Sequence, residues 1–459
     1  MICRALLFSA AAALSTLAAA PPNFVFILAD DQAWNGLSRR MDRDLPQSGS
    51  DFHRTPNIDR IAAEGMTFSR AYAAAPKCEP SRYAIMFGMT TTSLNAPDKR
   101  TAASMRGEAS HSLVNALKAA DPSYVAATFG KWQLVKAQSR LGFDRDDGKI
   151  TENRDGESPD PADPKRMFEL TDKGNLFMEE SVASGRPFYL QLWHYAVHGS
   201  NQSLPETLAV WQGRQPGRMH RDPTRAAMAE DFDRAVGMTL AKIDELGIRD
   251  STYVIYMSDN GGPTRYLRGG KTNVTEGGIR VPMAVRGPGV AADSYCDIPV
   301  VAYDLLPTVL DFAAPGTAPP PGVEGGSWGP LLLDGCTEPV ERPVERLVFF
   351  FEEARGRDPG AQAAIIDGNW KLLYFFNGRK SALYDVGRDP TETRDLAADS
   401  PETASGLLSE LMGHVRTGLG EQAFARVESG RTAVRPNRRD GPRGRGRRGP
   451  QRRAVPPVR

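Results

Sequence analysis

Two short runs, Asp30-Asp31 and Asp259-Asn260, offer three carboxylates and one amide, an all-oxygen donor set. Hard divalent cations such as Ca2+ and Mg2+ take such donors, whereas zinc favours nitrogen and sulfur. With six His in the chain and no paired Cys spacing, zinc is the poorer fit. Either run alone is an ordinary turn, cap or loop; together they read as a metal site. Arg82, Lys131 and Lys271 add the complementary charge, and the last two stand beside glycines in Gly130-Lys131 and Gly269-Gly270-Lys271. A guanidinium fork grips paired oxygens of a tetrahedral oxyanion, while a Lys ammonium contributes a point charge. His198 brings a group that exchanges a proton near neutral pH. His194, directly at the end of an apolar run, reads as structural.

These residues are far apart in the chain, so the fold must gather them. Continuous apolar runs at residues 24–29, 124–129, 188–193 and 253–257 predict buried parallel strands, because a strand covered on both faces needs apolar side chains at every position. Asp30-Asp31 follow the first, Lys131 the second and Asp259-Asn260 the fourth, and His198 comes shortly after the third. In open α/β sheets ligands bind beyond the carboxyl ends of the strands, so one edge would collect all of them. Helices alternate with the strands. Thr55 as N-cap, Pro56 at the first position and Gly65 as the close predict one. A second is expected over residues 225–246, with Met228, Phe232, Ala235, Val236, Ile243 and Leu246 on one face and Gly247 as the stop. The class is α/β, with a mixed, mainly parallel central sheet flanked by helices.

The sheet and its helices are expected within residues 21–312. From about residue 313 the composition turns to Pro and Gly, as in Pro319-Pro320-Pro321-Gly322, which predicts a linker or crossover over residues 313–345. A smaller α+β unit over residues 346–427 follows. Its apolar runs at 347–351, 363–366 and 370–376, with turns at Asp367-Gly368 and Asn377-Gly378, predict an antiparallel sheet of hairpins, and a helix near 403–415 would cover one face.

The chain has 459 residues, 40% of them hydrophobic and 25% charged, the balance of a folded protein with a large core. Lys plus Arg is 57 and Asp plus Glu is 56, yet residues 431–459 hold eleven Arg against Asp440 alone, leaving the rest at about −9. An acidic body is a poor nucleic-acid binder, and no nucleic-acid partner is expected. The Arg-, Gly- and Pro-rich segment 428–459 predicts disorder, and it can contact acidic polysaccharide. At the other end, residues 1–20 carry one Arg, an apolar stretch over 5–17 and Ala18-Ala19-Ala20 before Pro21, which predicts a secretory signal. That stretch is shorter than the ~20 apolar residues of a membrane span. The expected location is periplasmic or secreted, where disulfides form. With Cys3 in the signal, two readings stand for Cys78, Cys296 and Cys336. Either Cys296 pairs with Cys336 and Cys78 has a special fate, or all three are small buried hydrophobes.

Cys78-Glu79-Pro80-Ser81-Arg82, with Gly88 six residues past the Arg, resembles the Cys-x-Pro-Ser-Arg signature of the type I, formylglycine-dependent sulfatases of the alkaline-phosphatase-like superfamily. Asp30-Asp31, Gly130-Lys131-Trp132, Ala196-Val197-His198, Ser258-Asp259-Asn260-Gly261-Gly262, Arg268-Gly269-Gly270-Lys271 and Glu276-Gly277-Gly278 look like the family's other motifs, in its order. The resemblance covers residues 23–312 and continues through Asp367-Gly368-Asn369-Trp370-Lys371-Leu372 and Leu383-Tyr384-Asp385. It implies a sulfuric ester hydrolase in which a maturation enzyme oxidises Cys78 to formylglycine (3-oxoalanine). It also implies one calcium ion, ahead of magnesium, on Asp30, Asp31, Asp259, Asn260 and the modified Cys78. In the implied mechanism one hydroxyl of the hydrated aldehyde attacks sulfur, His198 protonates the leaving oxygen, and the second hydroxyl expels sulfate.

One departure stands inside the motif. The family usually has His two residues after the Lys, where this chain has Gln133. Gln133 can hydrogen-bond but takes up no proton at neutral pH, so release of sulfate is the step the change touches. A smaller one is Phe87 before Gly88, where Thr or Ser is more usual, and it bears on recognition by the maturing enzyme. Export and common family use imply a sulfated carbohydrate as substrate. Two alternatives are a phosphonate or phosphate monoester hydrolase of the same fold and a non-catalytic sulfated-glycan-binding protein.

Overall fold

The computed structural model describes residues 20–94, 108–134, 136–148, 156–354 and 359–429. The expected signal, apart from Ala20, and the Arg-rich segment from residue 430 lie outside the described residues. In chain order the first strands are β1 (Asn23–Ala29), β2 (Met66–Phe68), β3 (Ala71–Tyr72), β4 (Val125–Gly130) and β5 (Arg145–Asp146). β6 (Phe188–Trp193), β7 (Thr252–Ser258), β8 (Met283–Arg286), β9 (Ser294–Cys296) and β10 (Val300–Val301) follow. Among the described residues they make a sheet in the order β5-β4-β6-β1-β7-β8-β2-β9 and a small β10-β3 pair. β1 lies between parallel neighbours, with Phe24 opposite Tyr189 on one side and Tyr253 on the other. β8 alone runs antiparallel to both its neighbours, so the sheet is mixed and mainly parallel.

The continuous apolar runs have the reason expected of them. Phe24, Phe26 and Leu28 enter one core and Val25, Ile27 and Ala29 the core on the opposite face. Each such side chain taken from water contributes about 1.5–3 kcal/mol before the entropy of ordering it. Boundaries differ by a residue or so. Tyr124, expected in a strand, precedes β4 because its N–H turns back to Asp121 O at 3.3 Å.

The first predicted helix runs over Pro56–Ala63, but Thr55 does not cap it. Thr55 Oγ1 instead donates to Asp59 Oδ1 at 3.0 Å, and the free N–H groups of Asn57 and Ile58 go to Asp233 Oδ1 at 3.0 and 2.8 Å. A carboxylate from another helix thus does the work assigned to a local hydroxyl. That other helix, Pro223–Glu245, starts two residues earlier than expected because Asp222 accepts from Thr224 N at 2.9 Å. It stops near Gly247, whose φ of +65° is left-handed.

The second sheet has β11 (Leu347–Ala354), β12 (Gly360–Asp367), β13 (Trp370–Phe375) and β14 (Lys380–Asp385), antiparallel and in that order. β14 was absent from the hydrophobic runs because its first two residues, Lys380 and Ser381, are polar. The Pro401–Leu419 helix closes one face with Leu407, Leu411 and Val415, while Phe349, Ile366 and Leu373 join the same core as Phe24. Trp328, Leu331 and Val340 of the Pro/Gly-rich stretch are buried there too. Cys296 and Cys336 form a disulfide, with Cα atoms 5.5 Å apart, tying that stretch to β9. Among the described residues no helix is long and apolar enough to cross a membrane.

Candidate active site

At the carboxyl edge of the large sheet the backbone pairing runs one step past the strands. Asp30 N donates to Ala196 O at 2.8 Å, Lys131 N to Trp193 O at 2.8 Å and Asp259 N to Ala29 O at 3.0 Å. Side chains leaving β1, β4 and β7 therefore emerge side by side. Cys78 arrives on a helix instead, as the first residue of Cys78–Phe87, which Gly88 ends in a left-handed conformation at φ +65°. Cys78 and Arg82 lie one turn apart on its inward face, 4% and 0% exposed.

Arg82 is the hub. Its Nε and Nη2 donate to Asp259 Oδ2 at 3.0 and 2.7 Å, and its Nη1 donates to Lys131 O at 3.0 Å. Nη2 also stands 3.4 Å from Asp30 Oδ2, to which Lys131 Nζ donates. Cys78 Sγ is 3.3 Å from Asp30 Oδ1 and 3.8 Å from Lys131 Nζ. On the outer side Lys271 Nζ lies 2.7 Å from Asp31 Oδ1, and Asn260 Nδ2 donates to the same oxygen at 2.6 Å. His198 Nε2 faces Asp31 Oδ2 at 3.6 Å. Its Nδ1 meets Gly199 O, and since a carbonyl only accepts, Nδ1 carries the hydrogen there.

Burial tends to raise the Asp30 carboxyl, but the charges of Lys131 and Arg82 outweigh it and hold Asp30 below the usual carboxylate range. Asp259 moves oppositely: burial and the Asp30 charge raise it to about 6 despite Arg82. Burial, with Asp259 and Asp30, pushes the Cys78 thiol well up. A thiol held protonated is a poor nucleophile.

Ligand atoms of Asp30, Asp31, Cys78 and Asp259 lie within 4.8 Å of one another. Among the described residues none donates a hydrogen bond to the buried Asn260 Oδ1. Leaving such an acceptor unpaired costs about 1–3 kcal/mol, and a cation would supply its partner. The donor set fits a hard divalent cation.

Residues 22–315 match the Sulfatase family model, and residues 270–416 match the model of the N-sulphoglucosamine sulphohydrolase C-terminal region. The chain belongs to the sulfatase family. It is thereby a sulfuric ester hydrolase of the alkaline-phosphatase-like superfamily. The sulfatase is 30% identical over 398 residues to N-acetylgalactosamine-6-sulfatase of Mus musculus, covering 74% of this chain and 71% of that one. The crystal structure of Ps i-CgsB in complex with k-i-k-neocarrahexaose shares the fold with a TM-score of 0.71 at 23% identity, over 89% of this chain and 98% of that one. So does the phosphonate monoester hydrolase of Agrobacterium radiobacter, with a TM-score of 0.62 at 18% identity, over 88% and 97%. The fold by itself does not choose between sulfate and phosphonate esters.

Within this sulfatase the contacts join Cys78, Arg82, Lys131, Lys271 and His198 to Asp30, Asp31, Asp259 and Asn260, and none of them includes Gln133. Gln133 is half-buried, and its buried Oε1 has no donor among the described residues. His194 lies in the core, where burial lowers it to about 3, with its ring 4.9 Å from that of Phe232. Gly262 has a steric reason, since a Cβ there would stand 2.0 Å from Asp31 O. Two contributions to the site were not assigned from the sequence. Gln362 of β12 accepts from Val274 N at 3.2 Å and Tyr384 of β14 accepts from Arg268 Nη1 at 2.8 Å, so the second sheet supports the Lys271 loop. Arg225, at the start of a surface helix, donates from Nη2 to Asp31 O at 2.6 Å and from Nη1 to Val197 O at 2.9 Å. An Arg in such a position reads as a solvated helix end, and no local signal distinguishes it.

Proposed function

We propose that this sulfatase is an exported enzyme hydrolysing sulfate esters on a carbohydrate, with Cys78 converted to formylglycine by a maturation enzyme and with one calcium ion. The observation that carries the reading is the placement of Cys78, in contact with Asp30 and Lys131 and one helical turn from Arg82. The thiol there is held protonated, and the hydrated aldehyde would supply an oxygen nucleophile in its place. Asp30, Asp31, Asp259 and Asn260 would hold the cation, which supplies a Lewis acid beside that nucleophile.

The chain's own groups divide by exposure. Side chains of Arg82 and Lys131 are 0% and 3% exposed, whereas those of His198 and Lys271 are 20% and 28% exposed. Arg82 orients Asp259 and Asp30 at the closed end. Lys131 and Lys271 bring positive charge to sulfate oxygens from the two sides. His198, nearer solvent, acts as the imidazolium: with one hydrogen kept on Nδ1 toward Gly199 O, it gives the Nε2 proton to the departing sugar oxygen, so the sugar lies outward. Gln133, two residues past Lys131, would offer its Oε1 as an acceptor to a hydroxyl.

A carbohydrate is favoured by what the relatives' names and titles say, a galactosamine sulfatase and a neocarrahexaose complex. Export is favoured by the signal-like residues 1–20 and by a disulfide, which persists in oxidising compartments. The Arg-rich segment 428–459 would contact polyanion. The test is peptide mass spectrometry of residue 78 in protein from its native host, followed by turnover of matched aryl sulfate, phosphate and phosphonate esters and a panel of sulfated saccharides. Formylglycine with sulfate as the fastest ester is expected; a phosphonate that outruns the sulfate, or glycan binding without released sulfate, overturns the reading.

A further inference from the structure

Asp31 and His198 sit on different segments, yet the proposed chemistry needs them at a set separation, one on the cation side and one on the leaving-group side. The segments are already stitched by backbone, since Val197 N donates to Asp30 O at 2.9 Å and Asp30 N to Ala196 O at 2.8 Å. Those bonds stop before the functional residues. Asp31 itself stands at φ +61°, a conformation that a side chain bearing a Cβ seldom holds without external support. His198 is partly exposed at the start of the loop that follows.

Arg225 spans the gap. Its Nη2 takes the carbonyl of Asp31 at 2.6 Å, and its Nη1 takes that of Val197, the residue before His198, at 2.9 Å. Its own base is firm: it is the third residue of the 23-residue helix Pro223–Glu245, whose start is held by Asp222. Two divergent carbonyls captured by one planar fork are a task for guanidinium, and a Lys ammonium on a flexible stem does not reproduce it. We propose that Arg225 is a positioning residue that fixes His198 relative to Asp31, so that the proton donor meets the leaving oxygen while Asp31 serves the cation side. Arg225 touches neither the sulfate nor the leaving group in this account. The kinetic consequence rests on the sulfatase reading above; the geometric one does not.

The distinguishing readout is leaving-group dependence. A general acid matters most when the departing alcohol is a poor leaving group and least for an activated phenol. With formylglycine-bearing enzyme and a series of aryl and alkyl sulfates, Arg225→Met should lower kcat about 10- to 100-fold on the poorest leaving groups and less than about threefold on a nitrophenyl sulfate, with KM little changed. His198→Ala should steepen the same plot, and the double variant should add little to it. Arg225→Lys should resemble Arg225→Met. A uniform fall across the series, or full additivity with His198→Ala, overturns the proposal. A crystal structure of Arg225→Met, which needs no activity and no oxidised Cys78, gives the second arm. His198 displaced from Asp31 beyond the present 3.6 Å is expected; an unchanged pair overturns the proposal even if the protein proves to hydrolyse another ester. Wild-type protein that cleaves no sulfate, with the displacement still seen in the variant, sinks the substrate reading alone.

Discussion

The molecule buries two networks of opposite charges, and they behave differently. At the carboxyl edge of the large sheet, Asp30, Asp31 and Asp259 face Arg82, Lys131 and Lys271. Where the two sheets meet, Lys371 Nζ lies 2.8 Å from Glu276 Oε1 and 2.9 Å from Glu392 Oε1, and Arg280 completes the set 3.3 Å from Glu276. Formal charge balances in both. The second network is sealed, its side chains 0–3% exposed, and it locks β13 to the Glu276–Ile279 turn. The first opens outward through Asp31, His198 and Lys271, and burial with the Asp30 charge raises Asp259 to about 6. The sealed network also leaves Glu392 Oε1, though ion-paired, without a hydrogen-bond donor among the described residues, so openness is what separates the two: closure around balanced charge marks a structural lock, and buried charge with one side open marks a site prepared for a ligand.

The largest effect that would break this contrast comes from Cys78→Ala. Turnover should fall on the order of 10^5-fold or more, as when a nucleophile is lost, while the melting temperature changes by an amount worth only about 1 kcal/mol. Rate assays alongside thermal melts decide it, and near-wild-type turnover would end the formylglycine account. Lys371→Met should do the reverse, leaving Glu392 without a cation and Glu276 with Arg280 alone, and costing about 3–5 kcal/mol in unfolding experiments. If it unfolds no more readily than wild type, the junction network is not a lock. Adding Glu392→Gln should restore part of the loss, because the stranded charge disappears.

Calcium sharpens the comparison at a smaller scale. At a hundredfold excess over its dissociation constant it should stabilise the wild type by about 2.7 kcal/mol, read as a rise in melting temperature after chelation and re-addition. Lys371→Met should retain that increment and Asp31→Ala should lose it; an equal rise in all three proteins would place the cation elsewhere. The smallest change expected is from Gln133→His, which should preserve kcat or raise it by up to about tenfold if a second proton-transferring group limits release of sulfate. A marked loss in steady-state assays would instead give Gln133 a positioning role of its own.

Much of this was readable in the sequence alone. A strand buried on both faces must be apolar throughout, so β1, β4, β6 and β7 announced themselves to within a residue or two, and the polar residues at their ends followed from the chain leaving the sheet. The helical cap at Asn57 and Ile58 was misread for a reason of range: Thr55 was the local candidate, but Asp233, 175 residues from Ile58, supplied the acceptor. β14 escaped because half of it is polar, and Arg225 because a helix-end Arg carries no pattern.

The sequence by itself determined the residue types, their order along the strands and the chemistry they can perform, since donor atoms and periodicity are local properties. Only the tertiary structure decided that Cys78 stays outside the disulfide, which carboxylate is pushed up and which held down, and which arginine clamps Asp31 to the His198 loop. Those outcomes depend on distance and burial between residues far apart in the chain, and electrostatic energy at a few ångströms in a poorly screened interior has no counterpart in the order of the letters.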